Sequence, residues 1–136
     1  MKRPTGDIRH GTAPSFVAVA DLNGDGKPDL VVVGSINAPN NVSVLLNTTT
    51  PGAAAPTFAP RAIFTAGRGP FSVAITDVNG DGKPDLVVAN FNSASVSVLL
   101  NTTTPGAAAP TFASQVGFNT GQGARSVTVA DLNGDG

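Results

Sequence analysis

The stretch "DLNGDGKPDLVV", Asp21 to Val32, returns as "DVNGDGKPDLVV" at Asp77 to Val88 and begins a third time as "DLNGDG" at Asp131 to Gly136. Counted from the first Asp, side chains that carry oxygen stand at positions 1, 3, 5 and 9: Asp21, Asn23, Asp25 and Asp29. Position 7 is Lys27, which offers its backbone carbonyl whatever its side chain does. Gly24 and Gly26 let the chain turn tightly around a small centre. An all-oxygen loop of this spacing suits a hard cation such as Ca²⁺, which takes oxygen ligands at roughly 2.3–2.6 Å. Asp77, Asn79, Asp81 and Asp85, with the Lys83 carbonyl, repeat the set unchanged. Asp131, Asn133 and Asp135 begin it again without the position-9 carboxylate, so the third loop is expected to bind weakly or only with an oxygen from elsewhere.

An EF-hand shares the first half of this loop but closes it with a bidentate Glu at position 12 and an exiting helix. Here position 12 is Val32 or Val88, and Pro28 and Pro84 lead into β-like runs. The loop is therefore expected between two strands, which also excludes a dockerin-like helical pair. Asn-Gly and Asp-Gly are hairpin turn signals in their own right, and a bare turn explains the glycines. It does not explain three carboxylates per complete copy, twice in one register. All nine acidic residues are Asp, and eight lie in the three motif copies, leaving Asp7 alone elsewhere. Like charges so concentrated repel unless something neutralises them.

The motif recurs at intervals of 56 and 54 residues. "VSVLLNTTTPGAAAPTFA" stands unchanged at Val42 to Ala59 and at Val96 to Ala113, which points to recent duplication or engineering. Each repeat reads as β throughout. "SVAITD" (Ser72 to Asp77) alternates as a strand does, "DLVVA" (Asp85 to Ala89) is a short apolar run, and "VSVLLN" (Val96 to Asn101) is a third strand. "FAPRAIFT" (Phe58 to Thr65) is a fourth, with Pro60 at an edge or end. Pro and Gly punctuate the joints, and no segment keeps a helical period. Four short strands in about fifty-five residues is the scale of one β-propeller blade.

Composition narrows the function. With 40% hydrophobic residues and a net charge of −1, the 136 residues make one ordinary domain or part of one, without a basic face for nucleic acid. The absence of Cys removes disulfides, thiolate chemistry and Cys-ligated zinc. No apolar run reaches membrane-spanning length, and "MKRPTGDIRH" lacks the apolar segment of a signal peptide. His10 is the single histidine and reads as a solvated residue, so no Ser-His-Asp or Cys-His set assembles around it. Carboxylates that ligate calcium are held ionised and make poor general acids. An enzyme is not expected.

"DLNGDGKPDLVV", "DVNGDGKPDLVV" and the preceding "FTAGRGPFSVA" (Phe64 to Ala74) resemble the FG-GAP (VCBS) repeats that form integrin-α-type propellers. "HGTAPSFVA" (His10 to Ala18) keeps Gly11 and Ala13-Pro14 of those landmarks, whereas "FNTGQGARSVT" (Phe118 to Thr128) has Ala124 in place of the Pro. The resemblance runs from about Gly11 onward; residues 1–10 depart from it. It implies an all-β fold of four-stranded antiparallel blades, with a calcium loop joining the first two strands of each, in extracellular or cell-surface binding proteins. The motif-to-motif repeats are 21–76 and 77–130, with a truncated start at 131–136: about two and a half blades of an incomplete propeller.

A closed propeller needs roughly four to eight blades, so the expectation is a piece of a longer propeller or a ring closed by several copies. Head-to-tail closure meets a difficulty, because both ends of the chain offer the same strand and one must be displaced or swapped. The expected function is a calcium-stiffened adhesion or protein-binding scaffold, with a partner surface on blade loops such as Asn37 to Asn41. A lectin-like propeller and a self-assembling repeat are the alternatives. A lectin site usually stacks sugar on an aromatic ring, yet Trp and Tyr are absent. The seven Phe residues read as blade core, with Phe71 and Phe91 the least suited to burial. Asn41, Asn47 and Asn101 begin glycosylation-type triplets, a pattern too short to carry weight alone.

Overall fold

The computed structural model describes residues 14–34, 40–122, 126–128, 130 and 132. They form two four-stranded antiparallel sheets and one three-residue 3₁₀ turn, Phe91–Ser93. The first sheet is an up-and-down meander of β1 (Phe16–Ala20), β2 (Asp29–Val33), β3 (Asn41–Leu45) and β4 (Ala62–Thr65). The second repeats it with β5 (Pro70–Thr76), β6 (Asp85–Asn90), β7 (Ser95–Leu99) and β8 (Val116–Asn119). The all-β class and the four-stranded blade expected from the repeat are thus both present. The weak fourth strand is shorter than its sequence suggested: it starts at Ala62, beyond Pro60, which cannot donate to a ladder.

Register follows from side-chain alternation. In β2 and β3 every second residue is buried, and Val31 pairs with Val44 while Val33 pairs with Val42. These four valines, with Leu22, Leu46 and Ala66, pack on Val73, Leu86, Val88 and Leu99 of the second sheet in one cluster. The core is therefore the layer between the two sheets. Slipping either central strand by one residue would turn its valines away from that layer.

Phe contributes less to this core than the sequence suggested. Phe16, Phe71 and Phe118 are exposed, while Phe58, Phe64, Phe91 and Phe112 are half-buried. Close approach of two sheets is filled by Val and Leu, and the rings are left to the margins. There Phe64 meets Phe112 edge-on at 5.0 Å between the sheets, and Phe71 meets Phe91 at 6.4 Å within the second.

The repeated "NTTTPGAAAPTF" segments are ordered connections between the third and fourth strands. Thr48 N–H donates to Thr57 O, Thr57 N–H donates to Thr49 Oγ1, and Asn47 bridges Phe58. Thr102, Thr103, Thr111, Asn101 and Phe112 repeat these contacts. Among the described residues no helix is long and apolar enough to cross a membrane.

Candidate metal centre

Each complete acidic motif is the connection between the first two strands of its sheet. Ala20 pairs with Asp29 and Thr76 with Asp85, so the first and ninth residues of the loop are held at the mouth of a hairpin. Gly24, Gly26, Gly80 and Gly82 lie at φ of 70°, 84°, 76° and 86°, which lets the chain wrap inward. The position-1 carboxylate gathers the loop around itself. Asp77 Oδ1 accepts from the N–H groups of Gly80 (2.8 Å) and Asp81 (3.2 Å), and its Oδ2 from Gly82 N–H (2.7 Å). Asp21 likewise accepts from Asp25 N–H (3.1 Å) and Gly26 N–H (2.8 Å). Asp25 and Asp81 in turn accept from the N–H groups of Lys27 and Lys83, both at 3.0 Å.

The position-9 residue is of another kind. Asp85 is fully buried; its Oδ2 accepts from Val78 N–H and its Oδ1 from Asn101 N–H, both at 2.7 Å. Asp29 does the same with Leu22 N–H (2.7 Å) and Asn47 N–H (2.8 Å). This carboxylate therefore fastens the loop to the end of the third strand. Each of its oxygens keeps a second lone pair, so the clamp and a metal bond are compatible.

Electrostatics differ along the loop. Burial is the main cause pushing the Asp29 carboxyl above its ordinary value; the Asn47 and Leu22 amides oppose it, and the charges of Asp25 and Asp21 add to it. Asp77 is held below the ordinary value, chiefly by the Gly82 N–H, with Gly80 and Asp81 assisting against some desolvation.

Two observations test whether these residues suit a cation. In the second loop, Asp77, Asp81 and Asp85 bring carboxylate oxygens within 4.8 Å of one another, and among the described residues this is the group that meets that distance. Asp21, Asp25 and Asp29 are on the same loop positions but do not converge as closely. In the first loop, Asn23 is 5% exposed and its Oδ1 accepts no hydrogen bond. The amide is oriented by its other end, since Nδ2 donates to Ala107 O at 2.9 Å. A buried, unused carbonyl oxygen at position 3 is the kind of ligand a hard cation takes. Asn79, its counterpart, is exposed. Asp131, Asn133 and Asp135 lie outside the described residues, as do residues 1–10 and most of the Asn37 to Asn41 loop.

Sequence reading missed Asn47 and Asn101. Asn101 accepts from Thr103 N–H and donates through Nδ2 to Pro84 O (2.8 Å) and, across the sheets, to Leu22 O (2.9 Å). Asn47 makes the first two of these bonds within its own sheet, to Thr49 and Pro28. Gly106 N–H also donates to Asn23 O. The first acidic loop is thus held by the 101–107 connection of the second sheet. The signal was the recurrence of Asn 18 and 16 residues after Asp29 and Asp85, inside what read as a low-complexity run.

A family model described as FG-GAP-like repeat matches residues 21–88 and 77–136. No curated protein and no solved structure matches the chain.

Proposed function

The chain belongs to the FG-GAP-like repeat family, and on that premise we propose that it is a calcium-binding part of a β-propeller, serving as an extracellular adhesion or protein-binding scaffold and not as a catalyst. The observation that carries the metal reading is the convergence of Asp77, Asp81 and Asp85 within 4.8 Å. Three carboxylates so close repel one another, and backbone amides alone leave their negative charge in place. A bound divalent cation supplies the compensating charge.

Asp21, Asn23, Asp25, Asp29 and the Lys27 carbonyl would hold one ion, and Asp77, Asn79, Asp81, Asp85 and the Lys83 carbonyl the other. The role read for these residues is structural. Asp29 and Asp85 tie the loop to the third strand, while the position-1 Asp orders the turn. If the affinity is that of extracellular modules, around 10⁻⁴ M, then millimolar calcium adds about 1.4 kcal/mol of stability per site. Calorimetric titration of calcium into chelator-treated protein tests the reading. Saturable binding that is weakened at the second site by Asp81→Ala supports it, and a flat titration of the folded wild-type chain overturns it.

A further inference from the structure

We propose that Asn79 is a site of spontaneous deamidation, through attack of the Gly80 amide nitrogen on its side chain, and that the fold withholds the same reaction from Asn23. The two residues stand in the same local sequence, since each is followed by Gly-Asp-Gly-Lys-Pro-Asp. Their intrinsic reactivity is closely matched, so whatever separates them comes from structure.

Asn followed by Gly is the pair in which this reaction meets least obstruction, because no side chain on the second residue crowds its nitrogen. The Gly80 nitrogen bonds to Asn79 Cγ and gives up its proton, the Cγ–Nδ2 bond breaks, and the side-chain nitrogen takes a proton and leaves as ammonia. A succinimide ring remains. Water then adds to one of the ring carbonyls. Opening at Cγ leaves Asp; opening at the backbone carbonyl leaves isoaspartate, with the main chain rerouted through the side chain. The sum is Asn plus water giving Asp or isoaspartate plus ammonia, and nothing is oxidised or reduced.

The two environments differ at each point that the reaction uses. Asn79 is exposed, and among the described residues its side chain makes no hydrogen bond. A Cβ built on Gly80 would meet no heavy atom within 4 Å, so the attacking nitrogen lies beside open space. The Gly80 N–H donates to Asp77 Oδ1 at 2.8 Å, an acceptor already in place for the proton that must leave. Asn23, by contrast, is buried, and its leaving group is tied down: Nδ2 donates to Ala107 O at 2.9 Å. Its backbone carbonyl accepts from Gly106 N–H, and a Cβ on Gly24 would touch Pro105 at 3.9 Å. Closing the ring swings the Asn side chain against its own main chain. At Asn23 both bonds to the 101–107 connection have to break first.

Conversion at Asn79 changes the loop. Either product puts one more carboxylate beside Asp77, Asp81 and Asp85, whose oxygens lie within 4.8 Å of one another. Isoaspartate also takes the side-chain Cβ into the main chain between Asp77 and Asp81, which the turn holds together by a hydrogen bond. With time the second loop is altered and the first is not.

Trypsin separates the Asn-Gly pairs, because Lys27 and Lys83 each precede Pro and resist cleavage: Asn23 falls in peptide 10–61, Asn79 in 69–125 and Asn133 in 126–136. The full chain is held for days in mildly alkaline buffer with excess chelator, one portion folded and one in concentrated urea. Mass spectrometry follows the peptides, with fragment ions assigning the residue. Chelator makes the outcome independent of whether the loops bind calcium. In the folded portion Asn79 should gain acid about tenfold or more faster than Asn23, the ratio expected where two hydrogen bonds break before reaction. In urea the two rates should converge. Asn79→Gln should abolish isoaspartate in peptide 69–125, since a Gln side chain closes its larger ring far more slowly. Equal rates in the folded chain, or a faster Asn23, overturn the proposal. So does a ratio that persists in urea, which would trace to sequence and not to fold, and so does isoaspartate that survives Asn79→Gln.

Discussion

At the residue scale, the acidic motif contains carboxylates with different work, although they are the same amino acid. Asp21 and Asp77 organise the loop, Asp25 and Asp81 each accept one backbone N–H, from Lys27 and Lys83, and Asp29 and Asp85 each clamp two backbone amides. Spacing alone singled out these positions but not this division, which depends on what the third strand brings to the ninth residue. Asp81→Ala combined with Asp25→Ala is therefore predicted to remove most of the calcium response of the melting temperature while lowering the calcium-free value little. Asp85→Ala should instead destabilise even the chelated protein, by roughly 2 kcal/mol in urea melts, because the buried Asn101 N–H and the part-buried Val78 N–H lose their acceptor. Acidity adds a further check. The Asp29 carboxyl lies above its ordinary value of 3.8, so its contribution is full below that pH and is lost as pH rises through the raised value. Asp77 works in the opposite sense: its contribution is present above 3.8 and lost as pH falls through the lowered value. Binding a cation favours the ionised form of both. The calcium-induced rise in melting temperature should therefore shrink as pH falls from about 7 toward about 4, the range in which carboxylates gain protons.

At the scale of the element, strands were readable because their apolar period is two and because Gly and Pro mark every joint. Val31 and Val33 against Val42 and Val44 needed no tertiary knowledge to be placed on one face. The seven Phe residues were harder, since hydrophobicity does not say whether a ring fits between two sheets or only along their rim. The 47–58 and 101–112 connections were harder still. Their sequence looks like a flexible linker, and only folding shows that Asn47 and Asn101 anchor them. That pair also supplies an internal control, because the two Asn have identical neighbours in sequence and differ in the bond from Asn101 to Leu22 O. Asn101→Ala is expected to cost about 1 kcal/mol more than Asn47→Ala, the worth of one additional hydrogen bond. Equal losses in urea unfolding would show that the bond between the sheets adds nothing.

At the scale of the whole molecule, two sheets share one apolar layer, so neither has a core without the other. Leu86→Ala, at the centre of that layer, should cost about 3 kcal/mol and shift one unfolding transition without splitting it. Two transitions would mean that the sheets fold separately. The acidic loops sit at one end of every sheet, where a cation would fix the turn, and the clamp by Asp29 or Asp85 would carry that order to the third strand. That a structural calcium site underlies the motif is the central claim, and a thermal melt of the wild-type chain in millimolar calcium and again in excess chelator tests it most directly. The melting temperature should be higher in calcium and fall on chelation, recovering when calcium is restored; a melt indifferent to both calcium and chelator would contradict the claim.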